Sequence, residues 1–521
     1  MVKVSVVNHE YKMSQINNAR IAKNTIMLYV RMLVIMAVSL YTSRVILQVI
    51  GVNDYGVYNL VAGFVTIFSF ISNALISATQ RYFNVALGSN NKQYYKDIYS
   101  ASINVMLLFS VIIFVLGETL GLWFVRTQLN IAEDRMLAAE WVFHISLLTF
   151  VANLLRTTFN ASVIAHERMS FYAYVSIFEA AARLGIVFLL QSVSSDKLVA
   201  YAWLYFTVSV AMVVINAIYC HKTFDECKYS FRMKLGTFKE LIKFSSWTLL
   251  GQSAVVVRNQ GEAILINRFF SVVANAALGV ANQVTGALDM FVTNFQTAFN
   301  PQIVKTYASG ELQQHHMLVC RASKLSYYLL LILSLPILFN INTILGWWLV
   351  EVPYQANYFC SFIILSHLIN ALGTPFNTSI LATGHIKRYQ ILCSLIFISG
   401  LMLSALCLWF NGPSYSIVIV GIFVQLLLFI NRICHAIQLT KLSFKHYLRT
   451  VITPLIVITL LYFPVIFLTS IYATSIIGVF IAVIIDILYA VVLIYFLGTD
   501  SSEKQYARQI IGNVHRKLFI K

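Results

Sequence analysis

Two long apolar runs, 244–266 and 274–299, carry ionisable residues where hydrocarbon would surround them: Arg258 and Glu262 in the first, Asp289 in the second. An ionised group at that depth costs about 2.5–3.5 kcal/mol on insertion scales, so it is kept where it faces a partner or a water-filled cavity. Arg258 and Glu262 stand one helical turn apart and can pair on one face. The first half of the chain repeats the pattern. Arg31 and Arg44 lie in the first apolar run, Arg156 in the fourth, and Glu179 with Arg183, again one turn apart, in the fifth. The chemistry on offer is anion capture. A guanidinium stays protonated and its planar fork holds two oxygens at once, which suits phosphate. Glu179 and Glu262 are expected to be internal counter-ions that occupy the arginines when the anion leaves. Asp289 is expected to pair with an arginine of another helix or to couple transport by binding a cation or a proton.

Each assignment competes with a plainer one. Arg31 and Arg44 lie about two turns from the ends of their run, close enough to snorkel to the headgroups. Arg432 sits near a cytoplasmic end, where snorkelling is the better reading. Asn153, Asn160, Asn282, Gln283, Asn294 and Gln296 can hydrogen-bond sugars, but such residues also glue helices together. Asp486, mid-run near the C-terminus, is given no role. Enzyme chemistry finds little support. His315-His316 is expected in a cytoplasmic loop, no Gly-x-x-x-x-Gly-Lys phosphate loop is present, and the longest expected outer loop is only 125–138. No cofactor or metal is expected.

Those side chains need helices that cross a bilayer to position them. Of 521 residues, 59% are hydrophobic and 11% charged, against about 25% charged in soluble domains, so the chain is an integral membrane protein. The spacing predicts about 14 transmembrane helices at 26–50, 57–79, 98–124, 139–163, 171–191, 198–220, 244–266, 274–299, 325–345, 357–380, 391–410, 416–437, 450–470 and 474–497. The net charge of +17 does not signal nucleic acid, because of where it falls. With both termini cytoplasmic, 27 of the 37 Lys and Arg lie in inner segments and 4 in outer ones, as the positive-inside rule demands. The first 24 residues lack an apolar core for a cleavable signal, so the first helix is expected to be a retained anchor. Seven cysteines without a C-x-x-C pair indicate neither a disulfide framework nor a zinc site.

A short echo suggests duplication. Gly56-Val57-Tyr58-Asn59 recurs as Gly279-Val280-Ala281-Asn282, six helices later, which gives the two copies the same orientation. The expected architecture is all-α: two six-helix lobes in parallel repeat plus a C-terminal pair. In order these are a cytoplasmic segment 1–24, an N-lobe 25–220, a basic linker 221–243, a C-lobe 244–437, the pair 438–497 and a cytoplasmic tail 498–521. The arginines would line a cavity between the lobes.

Asn24…Arg31…Arg44-Val45…Leu47…Gly51…Asp54-Tyr55-Gly56-Val57-Tyr58, with Phe295-Gln296-x-Ala298-Phe299-Asn300-Pro301-Gln302, resembles the polysaccharide and O-antigen flippases (Wzx-type) of the multidrug/oligosaccharidyl-lipid/polysaccharide exporter superfamily. The resemblance implies two lobes that change access alternately. It also implies export of an undecaprenyl-diphosphate-linked oligosaccharide for lipopolysaccharide O-antigen, capsule or exopolysaccharide, in the bacterial inner membrane. Partners so implied are the lipid-linked glycan, membrane lipids, a polysaccharide polymerase or other glycan-assembly proteins, and H+ or Na+ as coupling ion. Two alternatives stay open: an ion-coupled multidrug cation antiporter of the same superfamily, and a membrane scaffold or enzyme of glycan assembly. The drug-exporting branch often carries an acidic residue in its first helix, and none lies between Ile26 and Ile50.

Overall fold

Apolar runs of this length have only one way to satisfy their backbone in lipid without closing a barrel, and among the described residues the regular structure is all helix, with no strand. The structure, a computed structural model, describes residues 24–504 apart from positions 40, 43–44, 47, 52–53, 55–56, 59–60, 63–64, 66–67, 129–130, 132, 195, 231–233, 271, 350–351, 474 and 501–502. Arg44 and most of the two terminal segments lie outside the described residues. In chain order the helices are α1 (Asn24–Ser39), α2 (Ser69–Gly88), α3 (Lys92–Thr127) and α4 (Glu133–Ala165). Next come α5 (Met169–Leu189), α6 (Lys197–Thr223), α7 (Leu235–Phe269) and α8 (Val272–Ala308). After α9 (Leu312–Phe339) and a short helix Ile341–Trp348 follow α10 (Ala356–Thr383), α11 (Lys387–Trp409) and α12 (Ser416–Thr440). The last two are α13 (Phe444–Tyr472) and α14 (Ile476–Leu493).

Ten of these, α3–α6 and α9–α14, are long and apolar enough to cross a membrane. α7 and α8 have ample length at 35 and 37 residues, but the polar side chains that drew notice in the sequence dilute their apolar character. α9 begins earlier than expected. His315 and His316 therefore sit on a helix rather than in a loop, with His315 buried between the Ile303 carbonyl and the Ser379 hydroxyl.

The described residues divide into two compact units. Residues 26–256 with 304–311 form the first, which holds α1–α6 and the start of α7. Here α4 lies most extensively against α6, and α2 and α3 pack on α4. In lipid, close packing rather than the hydrophobic effect holds such helices together. Phe143, Val142, Val61, Leu198 and Ala202 form one closed cluster. At one end Arg135 ties three segments, donating to Asp54 (Nε–Oδ1 2.9 Å) and to Asp196 (Nη1–Oδ2 2.7 Å). Asp196 in turn caps α6 by accepting from the Leu198 and Val199 amides at 2.9 and 3.3 Å.

The second unit comprises residues 257–303 and 312–504, together with Asn24 and Thr25. α10 is its centre, packed on α9 and α12, with α11 against α12 and the α13–α14 pair against α9. The chain leaves α14 and returns to α9, where buried Lys324 meets Glu503 at 2.9 Å. α13 and α14 present an almost unbroken apolar exterior, including Leu460, Phe467, Ile477 and Leu488.

Candidate functional site

Each unit encloses a polar pocket within itself. The larger, about 510 Å³, lies in the first unit and is lined by Arg31 of α1, Arg156 and Asn160 of α4, and Glu179 and Arg183 of α5. Tyr58, Tyr172, Tyr201 and Tyr205 also line it, among others. Glu179 is shared by two arginines. Arg183 Nη2 donates to Oε1 at 2.5 Å and Arg156 Nη1 meets Oε2 at 2.7 Å. Arg156 and Glu179 are deeply placed, with 9% and 13% of their side chains exposed, whereas Arg183 is 34% exposed. Arg31 has no carboxylate partner among the described residues; its guanidinium stacks 4.5 Å from the Tyr172 ring centroid. Arg183 stacks likewise over Tyr205 at 4.3 Å.

Three guanidinium groups thus face one carboxylate, an excess of two positive charges in the described lining. The Nε atoms of Arg31, Arg156 and Arg183 and the Oδ1 of Asn160 are buried without a hydrogen-bond partner. Buried polar groups are normally satisfied, and three unpaired donors with one unpaired acceptor leave these side chains short of partners. Four tyrosines line the same wall, two of them stacked against arginines.

The second pocket, about 340 Å³, lies wholly in the second unit. It is lined by Arg258, Asn259 and Glu262 of α7, Asn282 and Asp289 of α8, His367 of α10 and Gln425 of α12, among others. Arg258 Nε donates to Glu262 at 2.8 Å, both side chains being nearly buried. Gly421 makes room for that pair, since a Cβ there would lie 3.0 Å from Arg258 Nη2. Asp289 Oδ1 meets His367 Nδ1 at 2.8 Å. The lining carries one fixed cation against two carboxylates, the reverse of the first pocket.

The structure therefore sorts the residues singled out by sequence. Arg31, Arg156, Glu179 and Arg183 come together in one unit, and Arg258, Glu262 and Asp289 in the other. Asp289 pairs with a histidine, not an arginine. Sequence reasoning missed His367, although an ionisable residue inside the apolar run 357–380 was a usable signal. Among the amides, Asn160 and Asn282 line pockets, whereas Gln296 is buried and donates to Ser326 as helix–helix glue. Arg432 Nη1 donates to Asn370 at 2.9 Å, a contact inside the second unit. Asp486, fully buried, accepts from Thr469.

Comparisons with known proteins place this geometry in context. The sequence profile of the family described as "Polysaccharide biosynthesis protein" matches residues 21–307. EpsK, an uncharacterized membrane protein of Bacillus subtilis (strain 168), is 22% identical over 284 residues, 53% of this chain and 54% of that one. The chain is thus matched over about half the length of that relative. Among solved structures, MATE in the straight conformation superposes with a TM-score of 0.70 over 82% of this chain and 97% of that chain, at 12% identity. A MOP superfamily transporter from Pyrococcus furiosus, described as having a binding pocket of reverse polarity, gives 0.60 over 80% and 93%, at 12% identity. Likeness at such identities is likeness of fold. Because the family profile spans more than half of the sequence, this multi-pass membrane protein, folded like the MATE transporters, belongs to the polysaccharide biosynthesis protein family.

Proposed function

We propose that the protein is a flippase that exports an undecaprenyl-diphosphate-linked oligosaccharide across the bacterial inner membrane by alternating access. The observation that carries this reading is the excess of two guanidinium groups over carboxylates in the described lining of the first pocket. A diphosphate supplies the complementary charge and oxygens. The polyprenyl tail needs no pocket, since it stays in lipid while the headgroup crosses. On this reading α1, α2, α7 and α8 also cross, for fourteen crossings with both termini cytoplasmic. Glu179 occupies Arg156 and Arg183 between cargoes, so the site can release what it binds. The second pocket, with Arg258, Glu262 and Asp289, couples the cycle to an H+ or Na+ gradient. With the interior negative, outward movement of an anion is favoured by about 2.3 kcal/mol per charge per 100 mV.

A cation antiporter shares this fold, and the acidic second pocket is the feature that favours it. The net positive first pocket opposes it. Deletion of the gene in its native host, followed by leaflet-resolved measurement of lipid-linked glycan, separates the two. Accumulation on the cytoplasmic face, reversed by the wild type but not by Arg31→Ala or Arg258→Ala at equal protein level, supports the flippase. Normal glycan export with altered sensitivity to cationic drugs refutes it.

A further inference from the structure

A third, smaller cavity of about 170 Å³ lies beside the cationic pocket in the same unit. It shares two wall residues with that pocket, Tyr58 and Tyr205. The rest of its lining is Ala62, Val65, Ser146, Thr149, Phe150, Asn153 and Ala202, with no charge among them. The side chains of Ser146 and Asn153 make no hydrogen bond among the described residues, and both are only partly buried. Thr149 donates to the Ile145 carbonyl and keeps its lone pairs for an incoming donor. Phe150 is braced by Phe68, ring centroids 6.2 Å apart, and Tyr58 by Tyr201 at 4.9 Å.

The polar residues of the two cavities fall on one stripe of α4. Ser146, Thr149, Asn153, Arg156 and Asn160 succeed one another at intervals of three and four, which places them on a single helix face. The stripe changes from neutral to cationic between Asn153 and Arg156, an axial rise of about 4.5 Å. We infer that the neutral cavity is a saccharide subsite: it holds the first sugar of a lipid-linked glycan while the arginines hold the diphosphate. The inference rests on the anion reading of the first pocket and adds the chemistry of what is attached to that anion.

Connectivity argues for it. In such a lipid the first sugar is esterified directly to the terminal phosphate, so its site must adjoin the phosphate site and share a wall with it. The lining fits the ligand class as well. Aromatic rings present flat apolar faces to the C–H face of a pyranose, while an amide and two hydroxyls supply donors and acceptors for its rim. An acyl chain would strand Ser146 and Asn153 without partners.

The test uses the full-length protein in lipid nanodiscs and five probes: undecaprenyl diphosphate alone, the same lipid bearing one glucose, one galactose or one N-acetylglucosamine, and free uridine diphosphate. Wild type should bind at least one glycosylated probe about tenfold more tightly than the bare diphosphate. Asn153→Leu and Ser146→Val should each erase that preference while binding the bare diphosphate as wild type does, which also shows that they fold. No preference for any glycosylated probe, or a preference that survives both substitutions, overturns the saccharide subsite and leaves the anion site standing. Failure of bare undecaprenyl diphosphate to bind wild type overturns the anion reading and this inference together. Uridine diphosphate binding as tightly as the best glycosylated lipid would show a base-reading cavity and likewise overturn it.

Discussion

At the scale of single residues, the arginines of the first pocket sit in two kinds of surroundings. Arg156 is held against Glu179 with both side chains nearly buried, so removing one partner strands the other in a low-dielectric site. Arg31 meets only a tyrosine face among the described residues. Glu179→Gln should therefore cost about 3–5 kcal/mol of stability, seen as a lower melting temperature in detergent. Arg31→Gln should leave the melting temperature near that of wild type and weaken undecaprenyl diphosphate binding about tenfold, the loss of a charge-assisted hydrogen bond or two. Equal effects of the two substitutions on stability would contradict this division. The arginines were legible in the sequence because charge inside an apolar run is costly. Which arginine owns which carboxylate was not. Glu179 is one turn from Arg183 and twenty-three residues from Arg156, and only the packing of α5 on α4 brings the second pair together. The α4 stripe from Ser146 to Asn160 was present in the sequence too, but its meaning depends on which helix closes over it.

At the scale of elements, length and apolarity were readable and ends were not. The apolar runs predicted near 139–163 and 198–220 are the helices α4 and α6, yet both extend further, because capping and ion pairs decide where a helix starts. α6 shows how. Asp196 accepts two amides at its first turn, and Arg135, at the start of α4, fixes the same carboxylate. Partial burial works against the charge, but the Arg135 guanidinium and the capped amides outweigh it and hold the Asp196 carboxyl below its usual value. A folded value below the unfolded one means the unfolded chain takes up the proton first on acidification. Stability from this carboxylate is thus complete above the unfolded value near 4 and is lost as pH falls through the folded value below it. Asp196→Asn keeps an oxygen for the cap but removes the charge. The variant should melt below wild type at neutral pH, and the gap should close between about pH 5 and pH 3 as the wild-type carboxylate takes up its proton. A parallel fall in both proteins would mean that Asp196 carries none of the acid sensitivity.

At the scale of the whole molecule, two pockets of opposite electrostatic character, one in each unit, call for a division of labour. A cationic site can capture a lipid diphosphate, but a site that only captures would stall, so some other event must drive release. The second unit offers the candidate in Asp289 and His367, 2.8 Å apart in a cavity with Arg258, Glu262 and Gln425 facing them from α7 and α12. Proton or cation exchange at this pair, which lies outside the first pocket, is the event we propose for it. If that exchange is coupled to export, the cargo should move in response to a proton gradient and the coupling should vanish without the pair. Proteoliposomes loaded with fluorescent glycosylated undecaprenyl diphosphate report this directly by leaflet-selective quenching. An imposed pH difference should accelerate flipping by wild type several-fold. Asp289→Asn and His367→Gln should retain binding of the lipid, since neither lines the first pocket, and lose the acceleration. A residual dependence on membrane potential should survive in both variants, because it acts on the charge of the cargo rather than on this pair. Acceleration by the pH difference that persists in both variants would remove the pair from coupling. A sodium gradient that substitutes for protons in wild type, and fails in Asp289→Asn alone, would instead assign the carboxylate to Na+ and leave the histidine as its support.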